Sequence, residues 1–338
     1  KLIPRSLANY GFTNIIGVPE QEVLSGDFPT VASPNPEEPS AMAMAIEKAK
    51  ETGAEVVMAS DPDADRIGLV IRDNNGEYVL INGNQIVMIF LNYLMTRNTE
   101  LGTLTGNEYI VKTIVTTETI RTIAEAQHIK MYDCFTGFKW IANVMRENEG
   151  KARYLGGGEE SYGFLAEDFV RDKDSVSAIS LMAEIAAWAK DKGLNMTDML
   201  IDIYMKYGFS REKGISLVRK GKSGAEEIIA LMKQFRENPP KEIAGSPVVT
   251  VKDFQSLVET NVATGETKKL DMPATSNVLQ YYTADRTKVS VRPSGTEPKI
   301  KFYIEVHDTL ASADEYKATE ARADEKINRI AKEFGITK

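Results

Sequence analysis

The sequence predicts two three-layer α/β domains with mixed sheets, followed by an α+β domain on an antiparallel sheet. The length of 338 residues suits two or three domains at roughly 100–200 residues each. Up to residue 207, short apolar runs alternate with helical stretches, which argues for βαβ units and parallel strands. After Gly208, strand-like runs follow one another with little helix between them, which indicates antiparallel pairing.

Residues 13–18 (TNIIGV) read as a strand and 39–52 (PSAMAMAIEKAKET) as a helix stopped by Gly53, the usual residue past a helix C-terminus. Residues 55–60 (EVVMAS) and 67–72 (IGLVIR) read as buried strands around the loop DPDADR, with a turn at Asn74-Asn75-Gly76. The pattern repeats with helices at 85–95, 118–127, 137–146, 175–190 and 195–207, and strands at 109–115, 130–134 and 153–155. Beyond Gly208 come a strand at 214–218 and a helix at 225–237 ended by Pro239-Pro240. Strands at 248–251, 278–283, 288–292 and 299–306 and a helix at 313–333 complete the chain. These shifts suggest domains at 1–76, 77–207 and 208–338, with Gly208 a candidate hinge.

Apolar residues at 42% and charged residues at 27% are ordinary for a globular chain, which excludes collagen-like, disulfide-scaffold and largely disordered classes. Basic residues number 41 against 49 acidic, a net charge of −8, so no nucleic-acid partner is expected. Any anion must be met by local cationic loops. Cys134 is the one cysteine, so no intrachain disulfide can form, in keeping with a cytoplasmic location. The most apolar stretch, 178–187, is interrupted by Glu184 and is too short to span a bilayer. No signal-peptide pattern is present, and no membrane partner is expected. The opening at Lys1, already inside a structured pattern, suggests a chain taken from the middle of a larger protein.

Four loops could carry chemistry. In Asp61-Pro62-Asp63-Ala64-Asp65-Arg66, carboxylates alternate along an irregular segment, so that their oxygens can converge on one cation that offsets their repulsion. An EF-hand is excluded, since Arg66 stands where the loop needs Gly and Arg72 where it needs Glu. Mg²⁺ suits so small a ligand set; the plainer alternative is a solvated acidic turn. Gly156-Gly157-Gly158-Glu159-Glu160-Ser161 combines glycines that let a ligand approach the backbone with a carboxylate two residues before a hydroxyl, a pattern that can bind sugar hydroxyls. On these residues alone, a plain Gly-rich turn with solvated glutamates is the favoured reading.

The third loop, Arg292-Pro293-Ser294-Gly295-Thr296-Glu297-Pro298-Lys299, lies between two strands, with Lys301 on the strand face of Lys299. Its forked donor, hydroxyls and Gly turn could bind phosphate, or it is a hairpin with incidental charge. The fourth element is a weaker pair: Thr136-Gly137 opens one helix, and Arg171 to Asp174, including Lys173, precede another. Helix N-termini favour anions, although a helix start and an N-cap at Asp174 explain the same residues. His128 and His307 lie away from these loops and read as surface residues.

Taken together and in order, these loops resemble the α-D-phosphohexomutase superfamily, the phosphoglucomutases and phosphomannomutases. The resemblance rests on the metal loop D-x-D-x-D-R, the sugar loop G-E-x-S and the phosphate loop R-x-S-G-T, with TGFKW, GEESYGF and RPSGTEPK closest to phosphoglucomutases and phosphopentomutases. Gly26 to Thr30 and Pro34-Asn35-Pro36-Glu37 also resemble the family segment before the metal loop. The resemblance implies Mg²⁺ on Asp61, Asp63 and Asp65 and sugar hydroxyls on Glu159 and Ser161, with Thr136 and Gly137 contacting substrate. It assigns a phosphate to Arg292, Ser294, Gly295, Thr296 and Lys301, and catalytic roles to Arg66 and, as acid–base or phosphate contact, Lys173.

The implied activity interconverts hexose 1-phosphate and hexose 6-phosphate through glucose 1,6-bisphosphate, with sugar phosphates as the partners. The family's phosphoserine loop, T-A-S-H-N-P, is absent from these 338 residues. Ala32-Ser33-Pro34 is similar to it only superficially, because its neighbours belong to the second family domain, so the chain is expected to be inactive alone. A phosphomannomutase-type His after the sugar loop is also missing; Tyr162, Gly163 and Phe164 follow Ser161. A phosphopentomutase or hexose 1,6-bisphosphate synthase of the same superfamily remains open, as does a non-catalytic sugar-phosphate module. A D-x-D phosphatase is the alternative of another class, but a strand rather than a helix follows the motif here.

Overall fold

The computed structural model describes residues 2–219, 221–295 and 297–337, and the chain divides into two units, Lys1–Ile203 and Tyr204–Lys338. Helix α1 (Leu2–Asn9) opens the first unit, followed by irregular chain to α2 (Pro39–Thr52). The strand expected at 13–18 does not form. No strand pairs with it in the first sheet, and Ile16 is left exposed. The first sheet therefore contains no βαβ crossover. It is an antiparallel meander of β1 (Val56–Ser60), β2 (Ile67–Arg72) and β3 (Tyr78–Ile81). Ser60 pairs with Ile67, so DPDADR is the loop of a hairpin. Helix α2 starts with Pro39 and ends at Gly53 at φ 71°, where a left-handed backbone favours glycine. It buries Met42 and Ala49 against Val57 and Val70.

The second sheet is mixed, as expected. Helix α3 (Gly83–Glu100) leads into β4 (Glu108–Thr113), α4 (Thr119–Ala126), β5 (Lys130–Cys134), α5 (Phe138–Asn148), β6 (Arg153–Gly158) and β7 (Phe164–Ala166). Strand order is β5-β4-β6-β7, with β4 parallel to β5 and β6, and β7 antiparallel to β6. Asn82 and Gln85 close a reciprocal capping box at the start of α3. Helix α6 (Ser175–Asp191) packs on β1, β2 and β7. Asp174 caps it by accepting from the backbone N–H groups of Val176 and Ser177. Helix α7 (Met196–Tyr207) carries the chain into the second unit.

That unit holds an antiparallel sheet, as expected, of β8 (Phe209–Val218), β9 (Glu242–Ile243), β10 (Ser246–Asp253), β11 (Val258–Asn261), β12 (Thr267–Lys269), β13 (Leu279–Thr283), β14 (Lys288–Pro293) and β15 (Lys299–Asp308). Helices α8 (Gly221–Glu237) and α9 (Tyr316–Glu333) pack against it, and Phe235, Phe302 and Phe334 form an aromatic cluster beneath them. The short strands β9, β11 and β12 escape a sequence reading because their side chains are mostly polar and β12 is fully exposed. His307 is a correction. Its side chain is 6% exposed and its Nε2 lies 3.1 Å from Glu305 Oε1, with Lys288 Nζ 2.8 Å from the other carboxylate oxygen. Strand alternation turns it inward with Glu305, which a tally of its sequence neighbours does not reveal. His128 is exposed, as expected.

Candidate active site

The acidic loop is shaped by its own first residue. Asp61 Oδ1 accepts the backbone N–H groups of Asp65 and Arg66, both at 3.0 Å, an Asx-type closure. Ala64 takes φ 60° at the tip, and its carbonyl accepts the Ser175 N–H at 2.9 Å. Ser60 Oγ and Ser175 Oγ are 2.7 Å apart. The start of α6 thus holds the loop from outside. In this frame one carboxylate oxygen from each of Asp61, Asp63 and Asp65 lies within 4.8 Å of the others. Burial pushes the Asp61 carboxyl up to about 6, with Asp63 and Asp65 adding to the rise against the two backbone donors. Asp65 Oδ1 is buried without a hydrogen-bond partner. Crowded carboxylates with an orphaned oxygen form a hard, anionic donor set that fits a divalent cation.

Two cations border the set. Arg66 Nη1 donates to Glu37 Oε1 at 2.8 Å, while its Nε stays 3.6 Å from Asp61 Oδ2 and 3.7 Å from Asp65 Oδ1. Lys173 Nζ lies 2.9 Å from Asp65 Oδ2 and 3.3 Å from Asp172 Oδ1. Burial works against its charge, but these two carboxylates outweigh it and hold the ammonium above its ordinary value. That environment suits a fixed positive charge better than a proton shuttle.

The sugar-loop candidates meet the same cluster. Arg66 bridges to Gly163 across an isolated antiparallel pair, and Ile67 N–H donates to the Tyr162 carbonyl at 3.1 Å. A Cβ on Gly163 would fall 2.3 Å from Lys173 Cδ and 3.5 Å from Glu159 Oε2. The missing side chain is what lets Lys173 pass between the two loops. Glu159 is 7% exposed, and its Oε1 accepts the Gly137 N–H at 2.6 Å. Burial raises its carboxyl and Glu160 adds to this, with the Gly137 N–H, Lys173 and Arg66 opposing. Gly137 itself sits at φ 105° before α5, next to Thr136. Asp61, Asp63, Asp65, Arg66, Gly137, Glu159 and Lys173 are thereby linked in one cluster of the first unit, with Thr136 next to Gly137 and Ser161 two positions past Glu159 in sequence.

Two features correct or extend the sequence reading. Gly156, Gly157 and Gly158 do not form a ligand-facing turn; they lie buried in β6. A Cβ would come within 2.6 Å of the Val111 carbonyl on β4 at Gly157 and 2.7 Å of Val87 on α3 at Gly158, so these glycines serve close packing against the neighbouring strand and helix. Glu37 and the hydroxyls of Thr113 and Thr116, which donate to Glu160 Oε2 at 3.1 and 3.3 Å, received no role from the sequence. For Glu37 the PNPE segment was a usable signal; for the threonines there was none, because their partner is over 40 residues away.

In the second unit Arg292 and Lys301 are cross-strand partners on β14 and β15. Among the described residues neither has an ion-pair partner, and like charges opposite one another are unfavourable unless an anion lies between them. The turn closes through Ser294 N–H to the Lys299 carbonyl at 2.7 Å and Glu297 N–H to Ser294 Oγ at 3.3 Å. Gly295 is exposed, and Thr296 lies outside the described residues.

Comparison with known proteins finds family matches along most of the chain. Residues 1–76 match "Phosphoglucomutase/phosphomannomutase, alpha/beta/alpha domain II", 82–207 match its domain III and 252–323 its C-terminal domain. The chain belongs to the α-D-phosphohexomutase superfamily. This phosphohexomutase chain is similar to the phosphoglucomutase of Staphylococcus haemolyticus, with 34% identity over 90% of the chain and 55% of the relative. It is 35% identical to that of Staphylococcus epidermidis over 90% of the chain and 54% of the relative. It therefore spans about half the length of the curated relatives it matches. The fold is shared with a phosphoglucomutase/phosphomannomutase family protein from Burkholderia thailandensis (TM-score 0.58, 20% identity, 92% of this chain and 54% of that one). It is shared also with parafusin from Paramecium (TM-score 0.56, 15% identity, 91% and 52%). No helix among the described residues is long and apolar enough to cross a membrane.

Proposed function

We propose that this chain supplies the metal, sugar and phosphate loops of an enzyme that interconverts glucose 1-phosphate and glucose 6-phosphate through glucose 1,6-bisphosphate. The observation that carries it is the convergence of the Asp61, Asp63 and Asp65 carboxylates with Lys173 and Glu159 around Gly163. Asp61, Asp63 and Asp65 would hold Mg²⁺, which when bound neutralises charge on a phosphoryl group in transfer. Arg66 and Lys173 hold phosphoryl oxygens as fixed cations. Glu159 and Ser161 orient the sugar through its hydroxyls, which look alike in both poses of the bisphosphate, and Thr136 and Gly137 border it. Arg292, Ser294, Gly295, Thr296 and Lys301 hold the phosphate that is not being transferred.

The phosphoryl donor of the family is a serine loop with no counterpart within these 338 residues. Ser33 is not assigned that role. Similarity to phosphoglucomutases favours glucose over mannose or a pentose, and three proposed parts, 1–76, 77–207 and 208–338, would carry one loop each. The test is calorimetry with glucose 1,6-bisphosphate, with and without Mg²⁺, beside an assay converting glucose 1-phosphate to glucose 6-phosphate. Mg²⁺-dependent binding without turnover is expected. Turnover by the pure chain would overturn the missing-serine assignment, and absence of binding would overturn the site.

A further inference from the structure

We infer that Glu37 is a positioning residue that holds Arg66 off the acidic loop, keeping the Asp61, Asp63 and Asp65 oxygens available to a divalent cation. The inference rests on the Mg²⁺ reading of that loop and deepens it.

An arginine one residue beyond three carboxylates is a built-in competitor for any metal. Its guanidinium can form a planar, two-pronged pair with a carboxylate, and each such pair would occupy oxygens the cation needs. In this structure the pairing is incomplete. Nε remains 3.6 and 3.7 Å from Asp61 and Asp65, outside good hydrogen-bond range. Among the described residues, the shortest contact of the Arg66 guanidinium, at 2.8 Å, goes to Glu37.

Both ends of that contact stand on anchored backbone. Pro36 is buried and lies directly on β2, where a Cβ on Gly68 would be 2.6 Å from the Pro36 ring and 3.1 Å from its carbonyl oxygen. Asn35 accepts the Glu37 N–H with its side chain at 3.2 Å and the Glu38 N–H with its carbonyl at 3.0 Å. Helix α2 begins at Pro39. At the other end Arg66 is fixed by its bridge to Gly163. The backbone at both ends is thus set before the side chains meet, and the guanidinium sits nearer Glu37 than Asp61 or Asp65. The PNPE segment thus acts as an outrigger on the metal loop, and Gly68 is the seat that lets it approach.

The experiment titrates Mg²⁺ alone into the chain by calorimetry, with thermal melts reporting folding. Glu37→Gln keeps the size and removes the charge; Mg²⁺ affinity should fall about fivefold, a coupling typical of contacting residues. Glu37→Asp, which keeps the charge but shortens the reach, should show an intermediate loss. In an Arg66→Ala background Glu37→Gln should have no further effect, because nothing remains to be held away. An equal loss in both backgrounds would overturn the inference in favour of plain long-range attraction between Glu37 and the cation. Unchanged affinity in Glu37→Gln, with the parent chain binding Mg²⁺, would overturn it outright. Failure of the parent to bind Mg²⁺ would overturn the metal assignment and this inference with it.

Discussion

The acidic loop of the first unit and the turn between β14 and β15 of the second are both short connections between antiparallel strands, but only the first also leans on side chains from distant segments. The loop between β1 and β2 is tied from outside: Ser175 holds the Ala64 carbonyl, Glu37 holds Arg66 and Lys173 holds Asp65. Among the described residues, the turn between β14 and β15 is tied to itself through Ser294, Glu297 and Lys299, and to the end of β8 through the Arg219 N–H to the Pro298 carbonyl and the pairing of Lys299 with Val218. The reason is charge. Carboxylates crowded within 4.8 Å repel one another and stay together only if surrounding structure constrains them. The cations of the second site need no such frame, because Arg292 and Lys301 stand on a rigid ladder and the turn only closes beside them.

The largest expected effect is on the folding of the first unit. Lys112 is fully buried, 3.0 Å from Glu118 and 2.9 Å from Asp133, and Arg121 contacts the same two carboxylates. Lys112→Met should cost about 3 kcal/mol in urea unfolding, since it leaves desolvated negative charge with half its compensation. A loss under about 1 kcal/mol would mean that Arg121 alone compensates both carboxylates.

Asp63→Asn tests the crowding itself. It removes one hard anionic oxygen, and Mg²⁺ affinity by calorimetry should fall more than about tenfold with little change in melting. Equal affinity in both proteins would place the metal elsewhere. For the second site, Arg292→Lys keeps the charge but loses the planar fork. Binding of glucose 1,6-bisphosphate should weaken about tenfold while stability is unchanged. Unaltered binding would reduce the turn to a hairpin with incidental charges.

The smallest effect is on pH. Asp61 ionises near 6 in the folded chain against 3.8 as an isolated group, so its protonated form favours folding. That contribution is complete below about pH 4 and is lost as pH rises through about 6. Protons and Mg²⁺ compete for the same oxygens, and the ionised fraction implies about fourfold weaker binding at pH 5.5 than at 7.5. A flat metal affinity across the window would remove the crowding argument.

The sequence by itself determined the motifs: alternating carboxylates, G-E-x-S and R-x-S-G-T are local patterns, legible without the fold. It determined most helices too, because a cap and a 3.6-residue period are also local: Asp174 before α6 and Gly53 after α2 sit where the pattern put them. Tertiary structure alone decided three other things. It left residues 13–18 without a pairing strand, although their apolar run is as good as that of β1, because a strand exists only by its partner. It turned His307 inward and absorbed Gly156 to Gly158 into packing. And it joined Glu37 to Arg66 across 29 positions and Lys173 to Asp65 across more than 100. Such pairings depend on where the fold brings distant backbone together, and a one-dimensional pattern carries no record of that distance.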